Sequence, residues 1–302
     1  MKEKFVGAMK AAGGFFAGLW KSVKSFCGMI YSNKKAFAGA IILLIFVFLA
    51  LFGRLIFPYD DTTSFAEMYQ KPSGEHWLGT DGMGRDLFDM IIYGTQDVMT
   101  IAVLTALITV GLGVIMGIIS GYAGGWTDRI IGLISNIFMS LPQFPILLIL
   151  SMFITIRDNF TLALILSIFS WPGLARSVRS QIISLKERDF IQICSVMGVG
   201  RAHIIFSELL PNIMSFVAIN FISSMKNAIT SSVGMMTLGI ALFEPTNWGA
   251  IIVSARNSGA FAIPAARLCI IAPILAIMLF QIGAILFSNG LDEAFNPRLR
   301  KN

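Results

Sequence analysis

Charged side chains are scarce in this chain, and their scarcity argues against a soluble globular protein. Lysine, arginine, aspartate and glutamate make up 13% of the 302 residues, whereas a soluble domain carries roughly a quarter. Three cysteines and two histidines stand far apart in the sequence, which argues against a disulfide framework or a metal site of clustered ligands. The dipeptide Gly-Lys occurs nowhere, so the sequence contains no Walker-type phosphate-binding loop.

What the chain has in abundance is apolar sequence, since hydrophobic residues make up 56% of it. Six apolar runs are candidates to cross a bilayer, because about 20 such residues suffice for one helical span. They cover residues 36–57, 98–120, 130–156, 160–174, 213–242 and 261–287. Pro142 and Pro145 predict a kink in the third run, because each proline removes a backbone donor. Trp171-Pro172 marks the end of the fourth run, beyond which the helix can continue.

The distribution of basic residues predicts that both termini lie in the cytoplasm. Most of the 23 lysines and arginines then fall on the cytoplasmic side, as the positive-inside rule expects. The chain is predicted to begin with a basic cytoplasmic or interfacial segment (1–35), whose first 14 residues can instead form a disordered tail. A first transmembrane helix (36–58) and an extracytoplasmic loop (59–97) follow. The rest is predicted to be a transmembrane domain (98–290), which includes a cytoplasmic loop (175–212), and a cytoplasmic tail (291–302).

Residues 185–212 form a polar, helix-prone segment between two membrane-grade apolar runs. Glu187-Arg188-Asp189 favours a helix start, and Gly198 and Gly200 permit a sharp bend. Pro211 is expected to break the chain just before the next span. The pattern predicts two short helices that meet at an angle and project from the membrane, a shape suited to a groove on a partner. An ordinary amphipathic linker helix is the alternative.

The fifth apolar run carries a polar stripe and one basic residue, Lys226. A charge inside a span costs on the order of 3 kcal/mol, so Lys226 is expected to face protein or water. The stripe follows three- and four-residue spacing and consists of Ser223, Asn227, Thr230 and Ser231. It predicts either a lining of the translocation path or hydrogen bonds that hold the helices or subunits together.

The outer loop contains three nearby aspartates, Asp81, Asp86 and Asp89, which invite a metal-site interpretation. Their spacing does not fit an EF-hand, whose twelve-residue loop ends in a bidentate glutamate. Asp81-Gly82 reads instead as a tight turn. We favour a structured outer loop that caps the path or meets a substrate-delivery protein.

Several motifs, in order along the chain, resemble the C-type permease subunits of dipeptide and oligopeptide ATP-binding-cassette (ABC) importers. The stretch His76–Asp86 matches H-x-L-G-T-D-x-x-G-R-D. Gly198 is followed by nine residues and then by Glu208-Leu209-Leu210-Pro211, in the register of the Ile-x-Leu-Pro that closes the family's EAA loop. Further matches are Gly121-Tyr122-Ala123-Gly124-Gly125 with Asp128, Leu141-Pro142, Trp171-Pro172-Gly173-Leu174-Ala175-Arg176, Leu185 to Phe190, Trp248-Gly249-Ala250 and Asn296-Pro297-Arg298-Leu299-Arg300.

The chain departs from the family pattern at three places. Gln192-Ile193-Cys194 stands where the EAA loop has Glu-Ala-Ala, and Glu208 stands where it has isoleucine. Asn296 replaces the aspartate that usually opens the terminal stretch. These differences leave the position of the loop defined by its glycine and Leu-Pro, and they leave open which side chains contact a partner.

The resemblance implies an all-α integral membrane protein with the six-transmembrane-helix, type I ABC importer permease fold and a cytoplasmic coupling helix. It implies that the loop around Gly198 sits in a cleft of a cytoplasmic ATPase. The residues expected to couple to that ATPase are Gln192, Cys194, Gly198, Val199, Gly200, Arg201, Glu208 and Pro211. The residues expected to build the outer loop are Gly79, Asp81, Gly84, Arg85 and Asp86.

The resemblance also implies partners and a location. A second, homologous permease, two ABC ATPases and an extracytoplasmic binding protein would complete the importer in a prokaryotic cell membrane, with lipid around it and no nucleic acid. No cofactor is expected in this chain, which is not expected to be an enzyme, since ATP and Mg²⁺ would bind the ATPases. Peptides are the expected cargo, with nickel or a metal chelate as the alternative. An ion-driven secondary transporter is the rival class, disfavoured because no acidic residue stands in the middle of a predicted span.

Overall fold

Helices account for nearly all regular structure in the computed structural model, which describes residues 28, 30–31, 33–154, 156, 158–241 and 244–295. The predicted N-terminal interfacial helix and most of the C-terminal tail lie outside these residues. The helices are α1 Lys34–Ile56, α2 Leu87–Ala123, α3 Gly125–Ser140, α4 Gln143–Ser151, α5 Asn159–Lys186, α6 Asp189–Val196, α7 Arg201–Thr237, α8 Trp248–Asn257 and α9 Leu268–Phe295. Short 3₁₀ turns lie at Phe65–Glu67 and Pro264–Arg267, and the described part of the chain has no strand beyond two isolated bridges.

Five of these helices are long and apolar enough to cross a membrane: α1, α2, α5, α7 and α9. The pair α3 and α4 makes a sixth candidate, bent by 83° at its break. The break falls at Leu141-Pro142, where the prolines predicted a kink. The all-α, multi-span architecture expected from the apolar runs is therefore confirmed.

Helix α2 begins eleven residues before the predicted span. The Asp86 side chain caps it by accepting a hydrogen bond from the Asp89 backbone N–H at 3.0 Å, which is a common way to satisfy a free N-terminal donor. Asp97 consequently lies within a helix and not in the outer loop, contrary to the prediction. Its carboxylate is 2.7 Å from the Arg54 guanidinium and accepts a hydrogen bond from Asn159 at 2.9 Å, so its charge is paired structurally.

Neither Pro172 nor Pro211 ends a helix. Pro172 lies inside α5, which continues beyond it as the sequence allowed, and α7 runs from Arg201 through Pro211 without a break. The turn before Pro211, Ile204–Leu209, is π-helical, and the Leu210 N–H donates to the Ile205 carbonyl. Proline lacks an N–H, and the wider turn redistributes the hydrogen bonds around it. The predicted chain break at Pro211 was therefore wrong.

Helices α2 and α5 pack against each other along a seam of glycines on α2. Gly113, Gly117 and Gly121 recur every four residues and face α5. A β-carbon placed on Gly117 would lie 2.6 Å from Val178 Cβ and 2.7 Å from the Ala175 carbonyl oxygen. Only glycine allows such an approach, which membrane helices use because lipid supplies no hydrophobic force between them. We call these three glycines and their α5 contacts the glycine seam.

A second core lies where α1, α2, α8 and α9 meet. Trp248 is fully buried there, packs edge-on against Phe46 and donates a hydrogen bond to the Ile91 carbonyl at 3.0 Å. Phe280 of α9 packs on the other side of Phe46. This core holds α8, which is too short to span a bilayer, against the spanning helices.

Candidate functional site

Helix α6 is an eight-residue helix that follows a tight turn at the inner end of α5. The Arg188 N–H donates to the Leu185 carbonyl at 3.0 Å, and the Gln192 N–H donates to the Arg188 carbonyl at 3.1 Å. The segment then turns at Gly198 and continues into α7 at Arg201. The structure therefore contains the predicted bend between two helices, although the second helix is continuous with the fifth predicted span.

Gly198 makes the turn because its backbone is left-handed, with φ of 73°. The Val199 N–H donates back to the Cys194 carbonyl at 3.0 Å, the bond that closes a glycine-capped helix end. A β-carbon at Gly198 would meet no atom within 4 Å. The requirement for glycine here is therefore conformational and does not come from packing within the chain.

One face of α6 is buried against the bundle. Ile191 belongs to an apolar cluster with Ile182 of α5 and Ile204 of α7, and Cys194 and Val199 pack against the same cluster. The helix is thereby attached to the two spanning helices on either side of it in the chain. A displacement of α6 is transmitted to both of them through this packing.

The other face of α6 is apolar and uncovered. It consists of Phe190, Ile193, Val196 and Met197, which we call the uncovered face. Val196 is 89% exposed and Met197 is 75% exposed. Exposed apolar side chains grouped in this way mark a surface that contacts another protein or a membrane.

Of the predicted coupling residues, Gln192 and Cys194 lie on α6, and the others lie in the turn that follows it or in α7. Gln192, Gly198, Gly200, Arg201 and Pro211 are exposed, whereas Cys194, Val199 and Glu208 are half-buried. Sequence reasoning missed the uncovered face, although the spacing of Phe190, Ile193 and Met197 by three and four residues was a signal for it. The individual contacts with an ATPase remain predictions.

An ion pair ties the inner ends of α2, α3 and α5 together beside this segment. Nη2 of Arg179 lies 2.6 Å from Oδ2 of Asp128, and the Ser120 hydroxyl donates to the same carboxylate at 2.5 Å. Lys186 donates to the Tyr122 carbonyl at 2.9 Å. A cavity of about 490 Å³ lies between this ion pair and α6, so α6 has open space beside its base.

The polar stripe of α7 is divided between two surroundings. Ser223 and Asn227 line a cleft between α2, α5 and α7. Thr230 lies against α9, where Gln281 Nε2 donates to the Thr230 hydroxyl at 2.7 Å and to the Lys226 carbonyl at 3.2 Å. Ser231 is half-buried on the same helix. Both interpretations of the stripe, path lining and helix pairing, therefore have residues that suit them.

Lys226 is half-buried, and no acidic side chain of the described residues lies within ion-pair distance of its ammonium group. Its predicted partner is not found in this part of the chain. Gln281 contacts only its backbone.

The outer loop is organised around a buried ion pair between Asp81 and Arg85. Nη2 of Arg85 lies 2.6 Å from Oδ2 of Asp81, and both side chains are at most 10% exposed. Burial lowers the pKa of the Arg85 guanidinium, but hydrogen bonds and charge from Asp81 outweigh that effect and raise it. Asp86 pairs with His76 at 2.7 Å. These carboxylates are therefore engaged within the loop.

Gly79 and Gly84 allow the loop to fold back on itself. Each has φ of 79°, and a β-carbon would lie 2.2 Å from the Gln70 carbonyl oxygen at Gly79 and 2.0 Å from the Ser64 carbonyl oxygen at Gly84. Among the residues that the structure describes, no three His, Cys, Asp or Glu side chains are grouped to hold a metal ion. The geometry supports a rigid outer cap.

Comparison with known proteins gives matches along nearly the whole chain. Residues 113–301 match the family described as binding-protein-dependent transport system inner membrane component. Residues 28–72 match the N-terminal transmembrane domain of oligopeptide transport permease C.

Individual relatives match over most of their own length as well. The oligopeptide transport system permease protein OppC of Bacillus subtilis is 30% identical over 272 residues, covering 89% of this chain and 88% of that one. The dipeptide transport system permease protein DppC of Alkalihalophilus pseudofirmus is 32% identical, covering 89% and 87%. The OppC protein of Mycobacterium tuberculosis is 32% identical, covering 89% and 92%.

Proposed function

This chain belongs to the family of binding-protein-dependent transport system inner membrane components, and on that premise we propose that it is the C-type permease subunit of an ABC importer for peptides. The names of the relatives supply the substrate class. They are oligopeptide and dipeptide permeases, and they match this chain along nearly its whole length. The observation that carries the proposal is the uncovered apolar face of α6, attached to the bundle through its opposite face.

The uncovered face is the docking surface for an ATPase subunit. Exposed Val196 and Met197 supply the apolar centre of such an interface, and the polar residues around them supply its rim. ATP and Mg²⁺ bind the ATPases, whose closure on ATP moves α6. Because Ile191 packs with Ile182 of α5 and Ile204 of α7, the movement tilts both helices and switches the path between inward- and outward-facing states. Hydrolysis resets the ATPases.

The two ends of the bundle would contact different partners. Both termini lie in the cytoplasm of a prokaryotic cell, and the outer cap faces the binding protein. Phe65 and Trp77 are exposed on that cap, while the buried Asp81–Arg85 pair keeps its backbone rigid. A second, homologous permease completes the path, and lipid covers the remaining apolar surfaces.

The test places a charge on the uncovered face. Val196→Glu/Met197→Glu is expected to lower both copurification of the ATPase and uptake of labelled tri-alanine by about tenfold or more, because charges at the centre of an apolar interface disrupt it. Ser184→Glu, which adds a charge at an exposed position of α5, is the matched control. Uptake is measured in proteoliposomes that contain the complete importer.

Two results would contradict the proposal. The first is normal ATPase binding and uptake by the double variant. The second is peptide uptake by this chain reconstituted without an ATPase subunit, which would indicate a secondary transporter.

A further inference from the structure

A polar cleft lies between α2, α5 and α7 at the middle of the bundle. Its volume is about 170 Å³. Thr105 and Thr109 form its floor, each 2% exposed, and the exposed side chains of Ser170, Ser177 and Asn227 stand at its rim. Thr105 is the central residue of the 37-residue helix α2, which puts the cleft near the mid-plane of the bilayer.

The two floor hydroxyls differ from the other threonine hydroxyls of the same helix. Thr95 donates to the Ile91 carbonyl at 2.8 Å, and Thr100 donates to the Gln96 carbonyl at 2.7 Å, the usual arrangement for threonine in a helix. Thr105 Oγ1 and Thr109 Oγ1 are buried and have no hydrogen-bond partner among the described residues. A buried hydroxyl without a partner is unfavourable, so these two groups gain from a water or ligand that enters the cleft far enough to reach them.

The side chains at the rim indicate what surrounds the opening of the cleft. The Ser170 and Ser177 hydroxyls donate to the Leu166 and Gly173 carbonyls of their own helix, so the exposed Asn227 amide decides what the opening faces. Lipid offers that amide no hydrogen-bond partner, so an opening at mid-membrane depth faces water or protein. The described lining contains no charged side chain. Its hydroxyl and amide groups both donate and accept hydrogen bonds, which matches the paired N–H and C=O of a peptide bond. It offers none of the imidazole, thiolate or carboxylate ligands that a transition metal prefers.

We propose that this cleft is a subsite for the main chain of a peptide in transit. The proposal rests on the proposed function and adds the mode of recognition. Water fills the cleft between transport cycles, and a passing peptide group displaces it and pairs with the hydroxyls of Thr105 and Thr109. Recognition through the main chain holds cargo without selecting its side chains, and selection is then left to the binding protein.

The first experiment removes the floor hydroxyls while keeping the side-chain shape. Thr105→Val/Thr109→Val is compared with Thr95→Val/Thr100→Val in the complete importer. Uptake of tri-alanine is expected to fall five- to tenfold in the first variant and to stay within twofold of wild type in the second. The ATPase rate stimulated by peptide-loaded binding protein is expected to stay within twofold in both, because neither variant alters α6.

The second experiment asks whether cargo reaches the rim. Asn227→Cys is treated with a water-soluble thiol reagent, and the modified position is identified by peptide mapping. Labelling at position 227 is expected, with severalfold protection when the importer turns over peptide-loaded binding protein. Phe160→Cys, exposed near the outer end of α5, is the control whose labelling is expected to be unaffected by cargo.

The outcomes separate this inference from the proposed function. Normal tri-alanine uptake by Thr105→Val/Thr109→Val overturns the subsite and leaves the importer assignment intact. Labelling of Asn227→Cys without protection by cargo also overturns it, because the cleft then holds water only. A wild-type complex that transports no peptide overturns the proposed function, and the subsite with it.

Discussion

Helices α2 and α5 meet in two different ways along their length. In the inner half, Gly113, Gly117 and Gly121 bring the backbones together so closely that no side chain fits between them. In the middle, Thr105 and Thr109 line a polar cleft together with Ser170, while the helices stay in contact through a hydrogen bond from the Ser167 hydroxyl to the Thr105 carbonyl at 3.2 Å. Leu174 belongs to both regions, since it contacts Gly113 and also lines the cleft.

One helix pair can therefore be in close backbone contact at one height along its length and border a cleft at another. The seam lies nearer to α6, and the cleft lies nearer to the middle of α2. In the proposed function, the seam passes the movement of α6 into the bundle and the cleft admits cargo. Glycine in the seam and threonine in the cleft suit these two proposed roles.

The largest expected effect comes from breaking the seam. Gly117→Leu places a β-carbon 2.6 Å from Val178 Cβ, which forces the helices apart and costs about 1–3 kcal/mol or more. We expect a strongly lowered melting temperature in detergent and little assembled complex. Gly111→Leu is the control, because Gly111 has no atom within 4 Å of its would-be β-carbon. Equal melting temperatures for the two variants would show that the seam is not tightly packed.

A smaller effect is expected at a glycine that is needed for its backbone alone. Gly198→Ala meets no steric obstacle, but a left-handed backbone at a residue with a side chain costs about 1–2 kcal/mol. We expect the yield of transported peptide per ATP to fall severalfold while the melting temperature of the bundle is nearly unchanged. Gly200→Ala is the control, because Gly200 is equally open but has φ of −61°. A coupling defect in Gly200→Ala of the same size would count against the conformational explanation.

The smallest expected effect sharpens the description of the cleft. Thr95→Val removes a satisfied, buried hydrogen bond and is expected to cost about 1 kcal/mol. Thr105→Val removes a hydroxyl that has no partner among the described residues, so the stability is expected to stay the same or to rise slightly. Chemical or thermal unfolding of the two purified variants measures the difference. The opposite order would mean that Thr105 has a structural partner.

Much of the fold could be read from apolar periodicity, because a bilayer demands helices of a fixed length. Helices α1 and α9 and the kink at Pro142 follow from this requirement. The start of α2 could not be predicted, because residues 87–97 mix polar and apolar side chains. Their mean hydropathy therefore does not reveal that they belong to the helix. Asp86 followed by Asp89 was the available signal, as an N-cap with an acidic first turn.

The bend between two helices was predictable, whereas the two faces of α6 were not. The glycine and Leu-Pro spacing located the segment that we propose couples to an ATPase, but periodicity could not tell which face of α6 the bundle covers. Glycines at 113, 117 and 121 carried a readable four-residue repeat. Thr230 of the α7 stripe faces α9, whereas Asn227 faces the cleft. This difference depends on which helices pack against α7, and the sequence of α7 alone does not contain that information.

The π-helical turn at Ile204–Leu209 has a consequence for everything that follows it in α7. A turn that holds an extra residue rotates the rest of the helix by about 100° relative to an uninterrupted α-helix. Asn220, Ser223 and Asn227 point into the cleft only in that rotational setting. The rotational angle of α7 is thus fixed at the end that begins with Arg201, so the direction of its polar face is set within the segment that we propose contacts an ATPase.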